Sequence, residues 1–421
     1  MKRAVIRNIF ALVAGVGLGI GELAADWSEP QTLNCYQDNS FGQLVMDGSG
    51  NSLAIWQCAG DIQIGSLPAN GSWTVSTLAS PQGDEILGRP NVAVDRQGNA
   101  MAVWNVYGAN NSSASLMYSQ KPAGGNWSVP STPDKIASNW VNLGGLTFDA
   151  EGNATIGWFG LTGIGHSLCS STLLKGSSTW GTTQLISSFA SLSVFDLQSD
   201  AQSNLAVISQ KGDGTILLSV QSAGTSQWSN PPIIMSEAAA NVSPALAFFQ
   251  GVAAVVWIDS EKHSVWANSY SLQDGIQTPT QLNTDKNENS NPAIAFDSSG
   301  NAVAVWGNNK GGLYCSRMLW GQSSWSAPQL ITPKFASGST PSIKSDISGN
   351  LFVLWLSTHD ASYQLERLAL NAETWTSLGT IASTTHLKLE DSAFAVSATE
   401  AGVVVFTLEG EIVALENPSL Y

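Results

Sequence analysis

Apolar and polar residues alternate along this chain in short bursts, and the bursts recur. A typical unit starts with an apolar strand at Asn291–Phe296, makes a polar turn at Asp297-Ser-Ser-Gly-Asn301, and re-enters an apolar strand at Ala302–Trp306. Gly and Asn suit the turn because both tolerate positive φ. In the second strand Ala302, Ala304 and Trp306 point one way and Val303 and Val305 the other. Both faces are apolar, so the sheet must be covered on both sides. A third strand follows at Leu313–Leu319, then an outer strand opened by Trp-Ser-x-Pro. Proline is tolerated there because an edge strand need not donate every N–H.

The unit repeats. The Asp-x-x-Gly-Asn turn begins at Asp47, Asp95, Asp149, Asp297 and Asp346, and the strands that follow end at Trp56, Trp104, Trp158, Trp306 and Trp355. Degenerate copies end at Ser209, Trp257 and Phe406, so successive ends lie 48 to 54 residues apart. The outer-strand motif stands at Trp27, Trp127, Trp228 and Trp325, with looser copies at Trp73, Trp180 and Trp375 and one without its Trp near Thr278. Four short strands at a period of about fifty residues are the mark of propeller blades. The chain is therefore read as all-β: a single β-propeller of eight four-stranded blades over 26–421. The blades fall near 41–80, 88–137, 141–188, 192–236, 241–284, 290–332, 339–382, and 389–415 plus 26–34. The first outer strand, Trp27 to Leu33, has no blade of its own, and the last three strands lack an outer one. The N-terminal strand is expected to complete the eighth blade, closing the ring and removing an exposed edge.

Residues 1–25 read as a secretory signal peptide: Lys2, Arg3 and Arg7, an apolar run from Ile9 to Ile20, and a small-residue cleavage site at Ala24-Ala25. The run is too short to span a bilayer, which takes about 20 apolar residues. The expected destination is the periplasm or the outside of the cell, with no integral membrane span after cleavage. The formal charge is −15, and loss of the leader makes it more negative. Such a surface repels nucleic acid. Export also permits disulfides: Cys35 and Cys58 are close in the repeat frame and are expected to pair. Cys169 and Cys315 sit at equivalent points of different repeats and are expected to be buried thiols.

Six tryptophans end second strands and seven open outer strands; only Trp140, Trp266 and Trp320 fall outside the register. A residue recurring at one strand position in blade after blade packs between blades, whereas the three outliers are free for a ligand. Each turn offers one Asp, and Arg96 follows Asp95. A calcium cage takes about six to eight oxygens, so the Asp is expected to cap its own turn, with no metal and no cofactor.

No constellation for catalysis stands out. The four histidines (His166, His263, His359, His386) lie in different repeats, and neither a zincin motif nor a nucleophile elbow occurs. Segments leading into the first strands are polar and nearly uncharged. Their candidate ligand-binding residues are Arg89, Asn91, Trp140, Asn142, Ser243, Asn291 and Thr340, a set suited to a neutral polar ligand such as a glycan or a peptide.

The strand–Asp-x-x-Gly-Asn–strand unit resembles the repeat of NHL-type propellers and, more loosely, the sialidase-type repeats of bacterial proteins. The resemblance covers essentially all of the chain after the leader and implies the propeller fold. The sialidase Asp-box, Ser-x-Asp-x-Gly-x-Thr-Trp, has one residue between Asp and Gly where this chain has two. Of Arg89, Arg96, Arg317 and Arg367, only Arg89 lies where a first strand begins, so an arginine clamp at the propeller centre is not assembled.

The leading expectation is a monomeric, secreted, non-enzymatic propeller presenting a face to a glycan or protein. The alternatives are a hydrolase or lyase acting on polysaccharide at the channel mouth, which needs converging ionisable groups, and a structural envelope protein.

Overall fold

Each repeat folds as an antiparallel meander whose first strand lies innermost. The computed structural model describes residues 27–28, 31–33, 40–69, 71–108, 114–134, 136, 141–162, 165–188, 192–237, 241–283, 287–289, 292–336, 339–357, 362–383, 392–396, 402–408 and 411–417. These form eight antiparallel sheets and, among the described residues, no helix. None of the described segments is a helix long and apolar enough to cross a membrane. The leader expected over 1–25 lies outside them.

Blades 1 to 8 begin with inner strands at Ser40–Met46, Asn91–Val94, Val141–Phe148, Leu192–Ser199, Asn241–Phe249, Ala293–Phe296, Ser342–Ser345 and Ser392–Val396. Each inner strand touches those of the two neighbouring blades, and that of blade 8 returns to that of blade 1, so the sheets close an eight-bladed ring. In blade 2 the inner strand is split: Ile86–Leu87 and Asn91–Val94 both pair with Ala100–Tyr107. In blade 5 the outer strand is split into Gly275–Ile276 and Thr280–Gln281, both paired with Ser264–Ser271.

Ring closure follows the expected route. Gln31–Thr32 pairs with Glu411–Asn417, the third strand of blade 8, through Gln31 with Ala414 and Thr32 with Val413. The Ser28 N–H donates to Glu416 O at 2.7 Å and the Ser28 hydroxyl accepts from the Glu416 N–H at 3.0 Å.

Packing between blades comes from the second strands, whose two apolar faces each meet a neighbour. Trp56, Trp104, Trp158, Trp257, Trp306 and Trp355 are all buried there. The outer-strand tryptophans wedge back against the preceding blade. Trp180 meets Tyr118 edge-on with ring centroids 5.3 Å apart, Trp228 Nε1 donates to Ser170 Oγ at 2.9 Å, and Trp375 Nε1 reaches Cys315 Sγ at 3.3 Å. The recurring tryptophans are thus inter-blade packing.

The turns from Asp to Asn follow one design in six blades, with Gly at the fourth position in five and Ser203 in blade 4. In blade 2, Asp95 Oδ1 accepts from the N–H groups of Gln97 and Asn99, and Oδ2 accepts from Asn99 Nδ2. Asn99 Oδ1 in turn accepts from the Ala123 N–H at 3.0 Å, tying this turn to the one between strands three and four. The fourth turn position takes positive φ, +87° at Gly98 and +87° at Gly349, which a glycine adopts without steric cost. Asp200 goes further and accepts from the Gly251 N–H of blade 5 at 2.7 Å. The Asp caps its turn, as expected.

Candidate functional site: the central channel

An inner strand pairs with only one partner, so its other edge presents N–H and C=O groups to the propeller axis that the sheet does not satisfy. Side chains from adjoining blades take up this task. The Val92 N–H donates to Gln43 Oε1 at 3.0 Å. Ser199 Oγ donates to Phe148 O at 2.5 Å and lies 3.2 Å from Thr147 Oγ1. Gln198 Nε2 donates to Leu246 O at 2.6 Å and to Asp196 Oδ2 at 3.1 Å. Farther along, Gln57, Asn105 and Gln210, each next to a second-strand end, donate to Leu87 O, Val141 O and Asn241 O of the next blade.

Between these strands lies a cavity of roughly 700 Å³. It is bounded by the turn-side halves of the eight inner strands and opens past Asp95, Asp149 and Asp200. Its wall is mixed: amides and hydroxyls from Gln43, Thr147, Gln198 and Ser199, and apolar surface from Phe148, Phe249 and Phe296.

Asp196 is the unusual group in this wall. It stands four residues before Asp200, where other blades place Gln43, Asn91, Gly145, Ala293 or Ser342. Burial pushes its carboxyl above the ordinary carboxylate range; the bond from Gln198, the charge of Lys344 and the Leu246 N–H pull the other way without prevailing. Lys344 enters the same cavity from blade 7 and Arg96 stands at its mouth. Both are exposed, and among the described residues neither forms an ion pair. A half-buried acid and a separate cation facing one lumen can together engage a hydroxyl-rich ligand, or move a proton.

Apart from Asn91, which holds the repeat position of Asp196, the residues singled out from sequence lie toward the opposite ends of the same strands. Arg89 is exposed in the link that splits the inner strand of blade 2, and half-buried Asn91 follows it. Asn142 is exposed in blade 3. Half-buried Ser243, with φ +51°, occupies an irregularity between Val242 and Ala245. Thr340 is exposed just before the inner strand of blade 7. None of these five lines the cavity; Trp140 and Asn291 lie outside the described residues. Trp266 packs within blade 5 opposite Trp257, its Nε1 bonded to Ser264 Oγ. Trp320 is exposed on the turn side.

Cys58 is disulfide-bonded, Cys169 and Cys315 are buried free thiols, and Cys35 lies outside the described residues.

No protein-family model matches this chain, and no curated protein does. Solved structures do. A prolyl endopeptidase is similar at 9% identity and a TM-score of 0.50 over 89% of this chain and 55% of its own, so the present chain spans about half its length. An ulvan lyase, described as a new family of polysaccharide lyase, is similar at 12% identity and a TM-score of 0.48, over 92% of this chain and 96% of that one. The Aleuria aurantia lectin, in complex with a fucose-containing disaccharide, is similar at 11% identity and 0.41 over 83% and 97%. Sialidases also occur among the similar structures. Likeness at such identities is one of fold, and the fold serves lyases, hydrolases and lectins alike.

Proposed function

We propose that the protein is an exported saccharide-binding propeller that holds its ligand in the central channel. The observation that carries this reading is the cavity of roughly 700 Å³, whose wall combines amide and hydroxyl groups with apolar strand surface. Its volume is in the range of small-molecule sites, and a sugar likewise offers hydrogen-bonding edges and an apolar ring face. The disulfide at Cys58 supports an oxidising compartment, in keeping with the leader. Titration with a panel of neutral oligosaccharides by calorimetry tests the reading. Binding is expected, and Gln198→Leu should weaken it at least tenfold. Silence across the panel, or binding untouched by Gln198→Leu, would sink it.

A second reading is favoured by Asp196 and Lys344 facing one lumen: cleavage of a polysaccharide, with Asp196 handling the proton. It requires new chain ends to appear when polysaccharides are incubated with the protein and to vanish in Asp196→Asn. If the protein releases none from any polysaccharide offered, this reading falls and binding stands alone.

A further inference from the structure

Blades fan outward from the axis, so their turn-bearing ends stand apart and leave a cleft between neighbours. Three of these clefts are closed by the protein itself, always by the residue that starts the turn between strands three and four. Lys175 covers Gly152 between blades 2 and 3, its Cδ 3.1 Å from where a Cβ would stand. Leu272 covers Gly251 between blades 4 and 5 at 3.2 Å, and Trp320 covers Gly300 between blades 5 and 6 more closely still.

Among the described residues, two further clefts enclose cavities. One, between blades 1 and 2, has a volume of about 250 Å³; the other, between blades 6 and 7, about 220 Å³. They are the same place in the repeat. Asp47 corresponds to Asp297, Asn51 to Asn301, and Leu53 to Val303, while Gly98 and Gly349 supply the far wall. At the covering position the first cleft has only Ala123, bonded to Asn99. The second has Leu370, bonded to Asn350, which is not among the groups lining the cleft. Each floor carries aliphatic side chains, Leu53 and Val94 in one and Val303 and Leu351 in the other. Each rim is polar, with Ser49, Gln97 and Lys121 against Arg317, Asn371 and Glu373. Arg317 also lashes the second cleft together, donating to Ala372 O at 2.6 Å and Glu373 O at 3.0 Å.

We propose that these two clefts are equivalent binding sites, each for one neutral sugar ring. The volume of each is that of about eight waters at about 30 Å³ apiece, room for a single ring and not for a chain. An aliphatic floor suits the apolar face of a pyranose, and the amide, hydroxyl and charged groups of the rim suit its hydroxyls. Two sites on one face make the protein bivalent, so a branched or surface-bound saccharide is held by avidity where a free monosaccharide is held weakly. The choice of ligand rests on the saccharide reading above; the sites themselves do not depend on the channel.

The test copies the protein's own device. Glucose, galactose, mannose, fucose and N-acetylglucosamine are titrated by ligand-observed NMR and calorimetry against the full chain and two variants, each checked for folding by its melting temperature. Ala123→Lys, which places at the first cleft the side chain that Lys175 provides at its own, is expected to close that cleft and lower the number of bound rings by one. Lys175→Ala is expected to open the cleft between blades 2 and 3 and raise it by one. Stoichiometry unchanged in both variants overturns the proposal. If it is unchanged in both while Gln198→Leu abolishes binding, the clefts fail and the channel reading survives. Loss of a site in Ala123→Lys with no effect of Gln198→Leu is the reverse. Should no sugar bind at all, both fall.

Discussion

The ring of Phe335 occupies the place where a side chain at Gly307 would project: a Cβ there would overlap Phe335 Cε1 and Cδ1. Gly307 closes the second strand of blade 6, immediately after Trp306. At this position blades 1, 2 and 4 carry Gln57, Asn105 and Gln210, each bonded to the next blade. Blade 6 instead brings in Phe335 from the link to blade 7, anchored by its N–H to Gly311 O at 2.7 Å. One glycine and one phenylalanine therefore replace a polar inter-blade stitch by an apolar one.

Gly307→Ala is expected to destabilise the fold by about 1–3 kcal/mol through overpacking, and Phe335→Ala by about 3–5 kcal/mol through the cavity it leaves. Because the two residues contend for one space, the double variant should cost less than the sum of the singles. Urea unfolding of the four proteins measures this, and strict additivity would show the contact to be unimportant.

Truncating Trp158, fully buried at a second-strand end, should cost about 3–5 kcal/mol. Trp320→Ala, at an exposed position, should cost far less by the same measurement.

The turn carboxylates differ in what they hold. Asp200 is buried and serves its own turn together with the Gly251 N–H of blade 5; Asp47 serves its own turn in a more open setting. A buried donor left without a partner costs about 1–3 kcal/mol, so Asp200→Ala should lower the melting temperature more than Asp47→Ala.

Asp196 makes stability depend on pH in the direction opposite to an ordinary paired carboxylate. Its folded pKa is raised by burial, so the folded state binds its proton more tightly than the unfolded chain does. Its favourable contribution is complete below the unfolded carboxylate pKa and is lost as pH rises through the folded value. Asp196→Asn, which stays neutral, should match the parent in acid and gain on it as pH rises. A stability difference flat in pH would contradict this.

Thiol chemistry should split the cysteines two and two. Cys169 and Cys315 are buried free thiols; burial pushes Cys169 up to about 11 and raises Cys315 as well. Neither should react with Ellman's reagent in the native protein, and both should in urea. Cys58 should appear only after reduction, and peptide mapping of the oxidised protein is expected to find it joined to Cys35.

The ring was legible because its determinants recur. Trp158 and Asp149 have counterparts in most repeats, and the period they mark is fixed by local sequence, as is the capping role of the Asp. The channel was not legible for the converse reason. Asp196 is a departure within a single repeat, and two of the groups that oppose the effect of its burial, Leu246 and Lys344, come from blades 5 and 7. Reading blade by blade weighed carboxylates by their sequence neighbours and drew attention to the segments before each inner strand, the other end from the cavity. With the repeats aligned on the turn Asp, Asp196 and Lys344 stand out as charged residues on inner strands that are otherwise uncharged there. The covering role of Lys175 and Trp320 leaves no local trace, because the opposite wall of each cleft, at Asp95 and at Phe249, comes from the neighbouring blade.

The seam at blade 8 has a mechanical meaning. Gln31–Thr32 lies at the rim, while the three inner strands of that blade come from the other end of the chain. A pull on the N-terminus therefore peels the contacts of Ser28, Gln31, Thr32 and Leu33 from the outside, hydrogen bond after hydrogen bond, and leaves the hub of inner strands intact. What it uncovers is the bare flank of Glu411–Asn417, a row of backbone N–H and C=O groups without their partner strand.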